Sequence, residues 1–330
     1  MTTLKESPTT LMFHAEMLPP GDAEDAPPAA AEASTSYRAF LDSRPPAFET
    51  CAVAEILSLA SLAPQLHLHI VHLSATECIP MLREARRSGV NITAETCFHY
   101  LGLASDSIAD GDTRHKCCPP IRSLANQDRL WDELSDAGGC LRTVVSDHSP
   151  CTPELKLLPA HLQPACGNGV GAAAAAPAEP SSEDTTTKQG DFFAAWGGIS
   201  SVGLGLPILH TASSERAARG APAPSVVDMV RLCCQATARQ VGLAHRKGGL
   251  RAGMDGDVCV FDDADEWTLR AVDMRWKNRC SPWEGRTFGG RVHETWVRGQ
   301  RVFQLGGENG GFVGGRPVGE AIVERRTAYS

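Results

Sequence analysis

Three residues able to bind a metal or move a proton stand at the ends of β-rich runs: His14 closes TTLMFH, His72 closes LHLHIVH and Asp147 closes LRTVVSD. Side chains at the carboxyl ends of parallel strands converge on one face, so residues far apart in sequence can share a site. Two imidazoles and a carboxylate suit a borderline cation such as zinc, which polarises a carbonyl and lowers the pKa of bound water. His14 and His72 are therefore candidate ligands, and Asp147 is a candidate ligand or general base. His67 and His69 form a tempting HxH, but a period of two puts them with Val71, on the face opposite Leu66, Leu68, Ile70 and His72. They are expected to face outward, away from the site. His148 points opposite to Asp147 if the strand persists, and is expected to have a supporting or structural role.

The elements that must carry these residues alternate. Strand patterns lie at 9–14, 66–72, 90–97 and 141–147, and helical patterns at 47–63, 77–89 and 124–139. Gly89 closes the second helix, and Gly138 and Gly139 close the third. This order is the mark of βα units and a parallel sheet. A further amphipathic helix spans 225–243, and beyond Gly248 the pattern turns to short strands punctuated by glycine. Two stretches rich in Pro, Gly, Ala and acids, near 18–36 and 158–190, read as low-complexity inserts. The loops HKCCPPIR and AAWGGISS offer backbone N–H and C=O groups that match a cyclic amide; ordinary turns are the competing reading.

Composition narrows the class. With 330 residues, 42% hydrophobic and 21% charged, the chain can bury a large core. Its net charge of -8, without any arginine-aromatic interleaving, argues against nucleic acid as a partner. The N-terminus lacks the apolar core of a secretory signal and no long apolar run occurs, so neither membrane nor export is expected. The expected location is cytoplasmic or otherwise intracellular. The 12 cysteines include no CxxC, and Cys51, Cys97, Cys140, Cys233, Cys234 and Cys259 read as small buried hydrophobes. No Walker A, G-x-S-x-G or G-x-G-x-x-G motif supports a nucleotide site or a serine nucleophile.

The strings LMFHAEM, LHIVHLSA, AETCFHYL, HKCCPPIR, VVSDHSPCTPELK and AAWGGISS resemble those of allantoinases, cyclic-amide hydrolases of the amidohydrolase superfamily. The tail segments GGLRAGMDGDVCVFD and HETWVRGQRVF fit the same pattern, and Phe98 stands where the family usually has proline. The resemblance implies an α/β fold: strands 5 to 8 of a (β/α)8 TIM-type barrel, with a small C-terminal β segment of the amidohydrolase β-sandwich domain. Residues 1–246 would be the barrel half, 247–305 the β segment and 306–330 a tail. It also implies a binuclear zinc centre. His14 matches the fifth-strand ligand, His72 the sixth-strand ligand, and Asp147 the eighth-strand ligand and catalytic proton carrier. Cys118 and Gly197 match substrate-binding positions whose main chain contacts the ring.

The implied reaction opens the cyclic amide of allantoin to allantoate, in purine and ureide catabolism, by a metal-activated hydroxide. The implied partners are this small molecule and, for the full-length family, further copies of the chain as a homo-oligomer. The family's first-strand HxH and bridging lysine have no counterpart in these 330 residues. The metal site is therefore expected to be incomplete and this chain inactive by itself. A non-catalytic amidohydrolase-like subunit and an enzyme of the dihydropyrimidinase or hydantoinase type are the alternative readings.

Overall fold

The computed structural model describes residues 1–20, 34–136, 138–163 and 189–323. Most of both low-complexity stretches and the end of the tail lie outside the described residues. Four strands, β1 (Thr10–Phe13), β2 (His67–Ile70), β3 (Ile92–Cys97) and β4 (Leu141–Val145), form a parallel sheet in the order β1-β2-β3-β4. Between them run α1 (Tyr37–Asp42), α2 (Ala47–Ser58), α3 (Cys78–Arg87), α4 (Phe98–Gly102) and α5 (Leu124–Ser135). The chain is thus α/β, as the alternating pattern predicts. β1, β2 and β4 stop one to two residues short of their predicted ends, which frees the residues that follow to turn, whereas β3 ends at Cys97 as predicted.

The helices begin and end for local reasons. Ser123 caps α5, its hydroxyl accepting from the backbone N–H of Asn126 at 3.3 Å. α3 carries Arg86 and Arg87 in its last turn, where cations favour the carbonyl end of the dipole, and Gly89 beyond it takes φ 88°. α6 (Gly205–Ala218) follows the second low-complexity stretch. α7 (Val226–Val230) opens with a Ser225–Asp228 capping box and runs through a π turn at Arg231–Gln235 into α8 (Ala236–Gln240). The long antiparallel strands β5 (Val258–Thr268) and β6 (Thr287–Val297), with β7 (Gln300–Gln304), make a separate three-stranded sheet.

Leu68, Ile70, Ile92, Ala94, Leu82, Leu130 and Trp131 are almost wholly buried and pack helices against the parallel sheet. His67 and His69 depart from expectation: they are 2% and 0% exposed, not outward-facing. A parallel sheet is covered on both faces, so the alternate face of β2 is interior too. The imidazoles are accommodated by partners on neighbouring strands. His67 bonds the Thr10 and Thr93 hydroxyls at 3.1 and 2.8 Å, and His69 Nδ1 bonds Thr93 at 2.7 Å. His69 Nε2 lies 3.1 Å from Glu95, which accepts from the Thr143 hydroxyl at 3.3 Å. The expectation for the cysteines holds for Cys97 and Cys140, whereas Cys234 and Cys259 are exposed because the elements that bear them lie at the surface. No disulfide links the described cysteines.

Candidate active site

His14, His72, Cys118, Asp147 and Gly197, the five candidate ligand and substrate-binding residues, line one cavity of 1080 Å³ at the carboxyl ends of the parallel strands. His14 directly follows β1 and is exposed to this cavity. Its Nδ1 stands 3.0 Å from His72 Nε2, and its Nε2 stands 3.1 Å from the buried carboxylate of Glu16. Arg44 holds the same Glu16 oxygen at 2.9 Å. An imidazole with one nitrogen on a carboxylate and the other turned toward a second imidazole has the orientation of a metal ligand with its supporting shell. The His14–Glu16 hydrogen bond raises the His14 pKa above its ordinary value against the opposing effect of burial. Burial pushes Glu16 up, but its bonds to His14 and Arg44 prevail and hold it below the usual carboxylate range.

His72 lies two residues beyond β2 with φ 41°, in the left-handed region that a non-glycine residue seldom adopts. The period-two argument stops at Ile70, so the turn, not strand parity, aims this ring. A clamp fixes the following loop. Buried Glu49 on α2 accepts from the N–H groups of Ser74 and Ala75 at 2.9 and 3.0 Å and from Arg122 at 2.8 Å. Asn126 of α5 bonds the Thr76 N–H at 3.1 Å and the Ser74 carbonyl at 2.8 Å. Such over-determination is what lets strained backbone persist at a site. Burial, then the proximity of His14, lowers the His72 pKa to about 4, leaving a neutral ring whose lone pair is free to bind a cation. Its Nδ1 is buried with no hydrogen-bond partner.

Asp147 also has left-handed backbone, at φ 44°, two residues past β4. Its neighbours pin it. His148 Nδ1 accepts from the N–H groups of Ser201 and Val202, both at 2.9 Å, and the Ser149 N–H donates to the Ile199 carbonyl at 3.0 Å. His148 is thus a supporting residue, as expected. Burial and then the charge of Glu95 push the Asp147 carboxyl above its ordinary value, with His14 opposing. A carboxyl raised in this way is a better proton acceptor.

The two predicted rim loops come together. Cys118 is half-buried beside Lys116, whose ammonium is held by the Phe193 and Ala195 carbonyls at 2.9 and 2.5 Å. A Cβ added at Gly197 would meet nothing nearer than 3.8 Å, so space for a ligand remains; at Gly198 it would lie 2.5 Å from the Ser149 carbonyl. Sequence reasoning missed Glu16, Arg44 and His99. Glu16 carried a signal, since HAE places an acid two residues from a candidate ligand, and His99 follows β3 just as the other candidates follow their strands. Arg44 sits in a proline-flanked loop without any sequence mark.

Imidazoles and a carboxylate are thus gathered at the carboxyl ends of a parallel α/β sheet, an arrangement that suits metal-assisted hydrolysis. No protein-family model matches the chain. It is 40% identical over 328 residues to the allantoinase of Saccharomyces cerevisiae, covering 99% of this chain and 61% of that protein. It is 36% identical over 270 residues to the allantoinase of Streptomyces avermitilis, covering 82% of this chain and 51% of that one. Among solved structures, D-hydantoinase (dihydropyrimidinase) from Thermus sp. superposes with a TM-score of 0.74 at 22% identity, over 99% of this chain and 63% of that chain. By sequence the chain is related to these allantoinases, and with the hydantoinase it shares its fold. It spans between 51% and 61% of the length of these two curated relatives.

Proposed function

We propose that the protein to which these 330 residues belong hydrolyses the cyclic amide of allantoin to allantoate. The observation that carries this reading is the convergence of His14, His72, Asp147, Cys118 and Gly197 on one cavity, in a chain related to allantoinases. In this reading the parallel sheet is the second half of a (β/α)8 barrel over 1–246, and 247–305 contributes the small β segment. His14, His72 and Asp147 would hold zinc, which when bound supplies Lewis acidity toward the ring carbonyl and makes water more acidic.

The chain's own groups do the rest. Glu16 fixes the His14 ring through its Nε2, leaving Nδ1 directed at the cavity. The main chain at Cys118 and Gly197 orients the ring by the amide groups it offers. Asp147 accepts the proton of the attacking water and delivers it to the ring nitrogen as the C–N bond breaks. The protonated carboxyl cannot start this cycle, so activity falls on acidification. Homo-oligomer formation by the full-length protein and a cytoplasmic or other intracellular location complete the reading. Among the described residues no helix is long and apolar enough to cross a membrane.

The test is an assay of the full-length protein on allantoin, hydantoin and dihydrouracil. Allantoate should form fastest, and Asp147→Asn should remove nearly all turnover while leaving the fold intact by circular dichroism. Preference for hydantoin or dihydrouracil, or full activity in Asp147→Asn, overturns it.

A further inference from the structure

One cluster of donor side chains shares only Asp147 with that reaction, and its other two members are buried. Cys97 ends β3, and the strand register sets it opposite Val145 of β4. His99 and Asp147 each stand two residues further along their own strand's direction, so the two chains bring them to the same level. The Cys97 sulfur, a ring nitrogen of His99 and a carboxylate oxygen of Asp147 all lie within 4.8 Å of one another. Cys97 is 0% and His99 1% exposed, whereas Asp147 is exposed and faces the cavity.

His99 is the informative member. Both of its ring nitrogens are buried without a hydrogen-bond partner. Leaving a buried polar atom unmatched costs about 1–3 kcal/mol, so two on one side chain need a reason. Tyr100 beside it has its hydroxyl on the Pro119 carbonyl at 2.7 Å, so polar groups in this layer do find partners where a hydrogen bond is enough. An imidazole turned to a thiol and a carboxylate, with nothing bonded to it, matches a coordination sphere better than a packing contact. Burial keeps the ring neutral, its pKa lowered to about 3, so a lone pair is available.

We propose that Cys97, His99 and Asp147 form a thiolate-containing site for a zinc-type divalent cation, distinct from the His14–His72 pair. Sulfur, nitrogen and oxygen donors together favour zinc over magnesium or calcium, which take oxygen alone. A tetrahedral zinc sphere sets its donors about 3.5 Å apart, so atoms that lie within 4.8 Å of one another need draw together by no more than roughly 1.3 Å. The exposed Asp147 has room for that movement. Binding converts the Cys97 thiol to thiolate, and its proton leaves to solvent. Three protein ligands leave a fourth position, on the cavity side where Asp147 stands. The site does not rest on the allantoin reading, since its donors can bind a cation whether or not the protein turns over that substrate.

The test is spectroscopic. The 330-residue chain, stripped with a chelator, is loaded with one equivalent of cobalt(II) or of zinc. Thiolate-to-cobalt charge-transfer absorption is expected, along with a sulfur neighbour at about 2.3 Å in zinc-edge X-ray absorption. Both should vanish in Cys97→Ser and persist in His14→Ala. Absence of a sulfur neighbour in the unsubstituted chain overturns the proposal, as does a band that survives Cys97→Ser or is lost in His14→Ala. Should Cys97→Ser fail to fold, His99→Gln decides: cobalt affinity falls at least tenfold if the proposal is right and is unchanged if it is wrong. Loss of turnover on allantoin would leave these signals untouched, so the two readings fail separately.

Discussion

The inner pair His67 and His69 and the mouth pair His14 and His72 use the same side chain to opposite ends. The inner pair stands within β2, buried among the Thr10, Thr93 and Glu95 side chains, and is tied into the sheet. The mouth pair stands just beyond β1 and β2, where the rings meet each other across 3.0 Å and open on the cavity. The difference is one of position by two or three residues. Inside a strand, neighbours at fixed spacing satisfy an imidazole and make it structural; past the strand end, a turn can aim it at a ligand. The inner pair should therefore govern stability, and the mouth pair cation affinity.

The largest expected effect breaks the inner pair. His69→Ala leaves a cavity in a fully buried layer and removes the partner of Thr93, so urea denaturation should show a loss of about 3 kcal/mol with zinc affinity unchanged. If zinc affinity fell instead, the division between the pairs would be wrong. Next in size is acid sensitivity. Burial, then the charge of His69, lowers the His67 pKa to about 4, below the 6.5 of an unfolded chain. A group whose folded pKa is depressed contributes stability that is complete above the unfolded value. That stability is lost as pH falls from 6.5 toward 4, by roughly 3 kcal/mol at most. His99, lowered to about 3, adds a loss extending further into acid. His67→Asn should flatten the upper part of the profile; an unaltered slope would remove His67 from the account. The smallest effect sharpens the mouth. Glu16→Gln keeps a hydrogen-bonding group but loses the carboxylate behind His14, so zinc affinity by calorimetry should fall roughly tenfold, about 1.4 kcal/mol. Unchanged affinity would deny Glu16 its supporting role.

Much of this architecture was legible. The alternation of strand and helix patterns gave the α/β class, and three metal-capable residues at predicted strand ends do meet in one cavity. Two features resisted reading for the same physical reason. Periodicity says which face a strand residue takes, but not where the strand stops or whether both faces are covered. Parity therefore turned His67 and His69 outward, although the sheet is covered on both sides, and extended a strand rule to His72, which is set by a turn. Arg44 was invisible because it reaches Glu16 from a loop, with no periodic pattern to place it. His99 was hidden by its own neighbours: in CFHYL it reads as one more core position, and only the fold shows both of its nitrogens unpartnered.

The left-handed backbone at His72 and Asp147 bears on how such a chain could change over time. Glycine occupies that conformation freely, whereas a side-chain-bearing residue is strained there by about 1 kcal/mol. Asp147→Gly should therefore raise the melting temperature while deleting the carboxylate. Selection for stability alone would drift these two positions toward glycine, and a lineage that kept histidine and aspartate there would do so against that pull. The two backbone angles thus mark where durability and chemistry make opposing demands on the same residue.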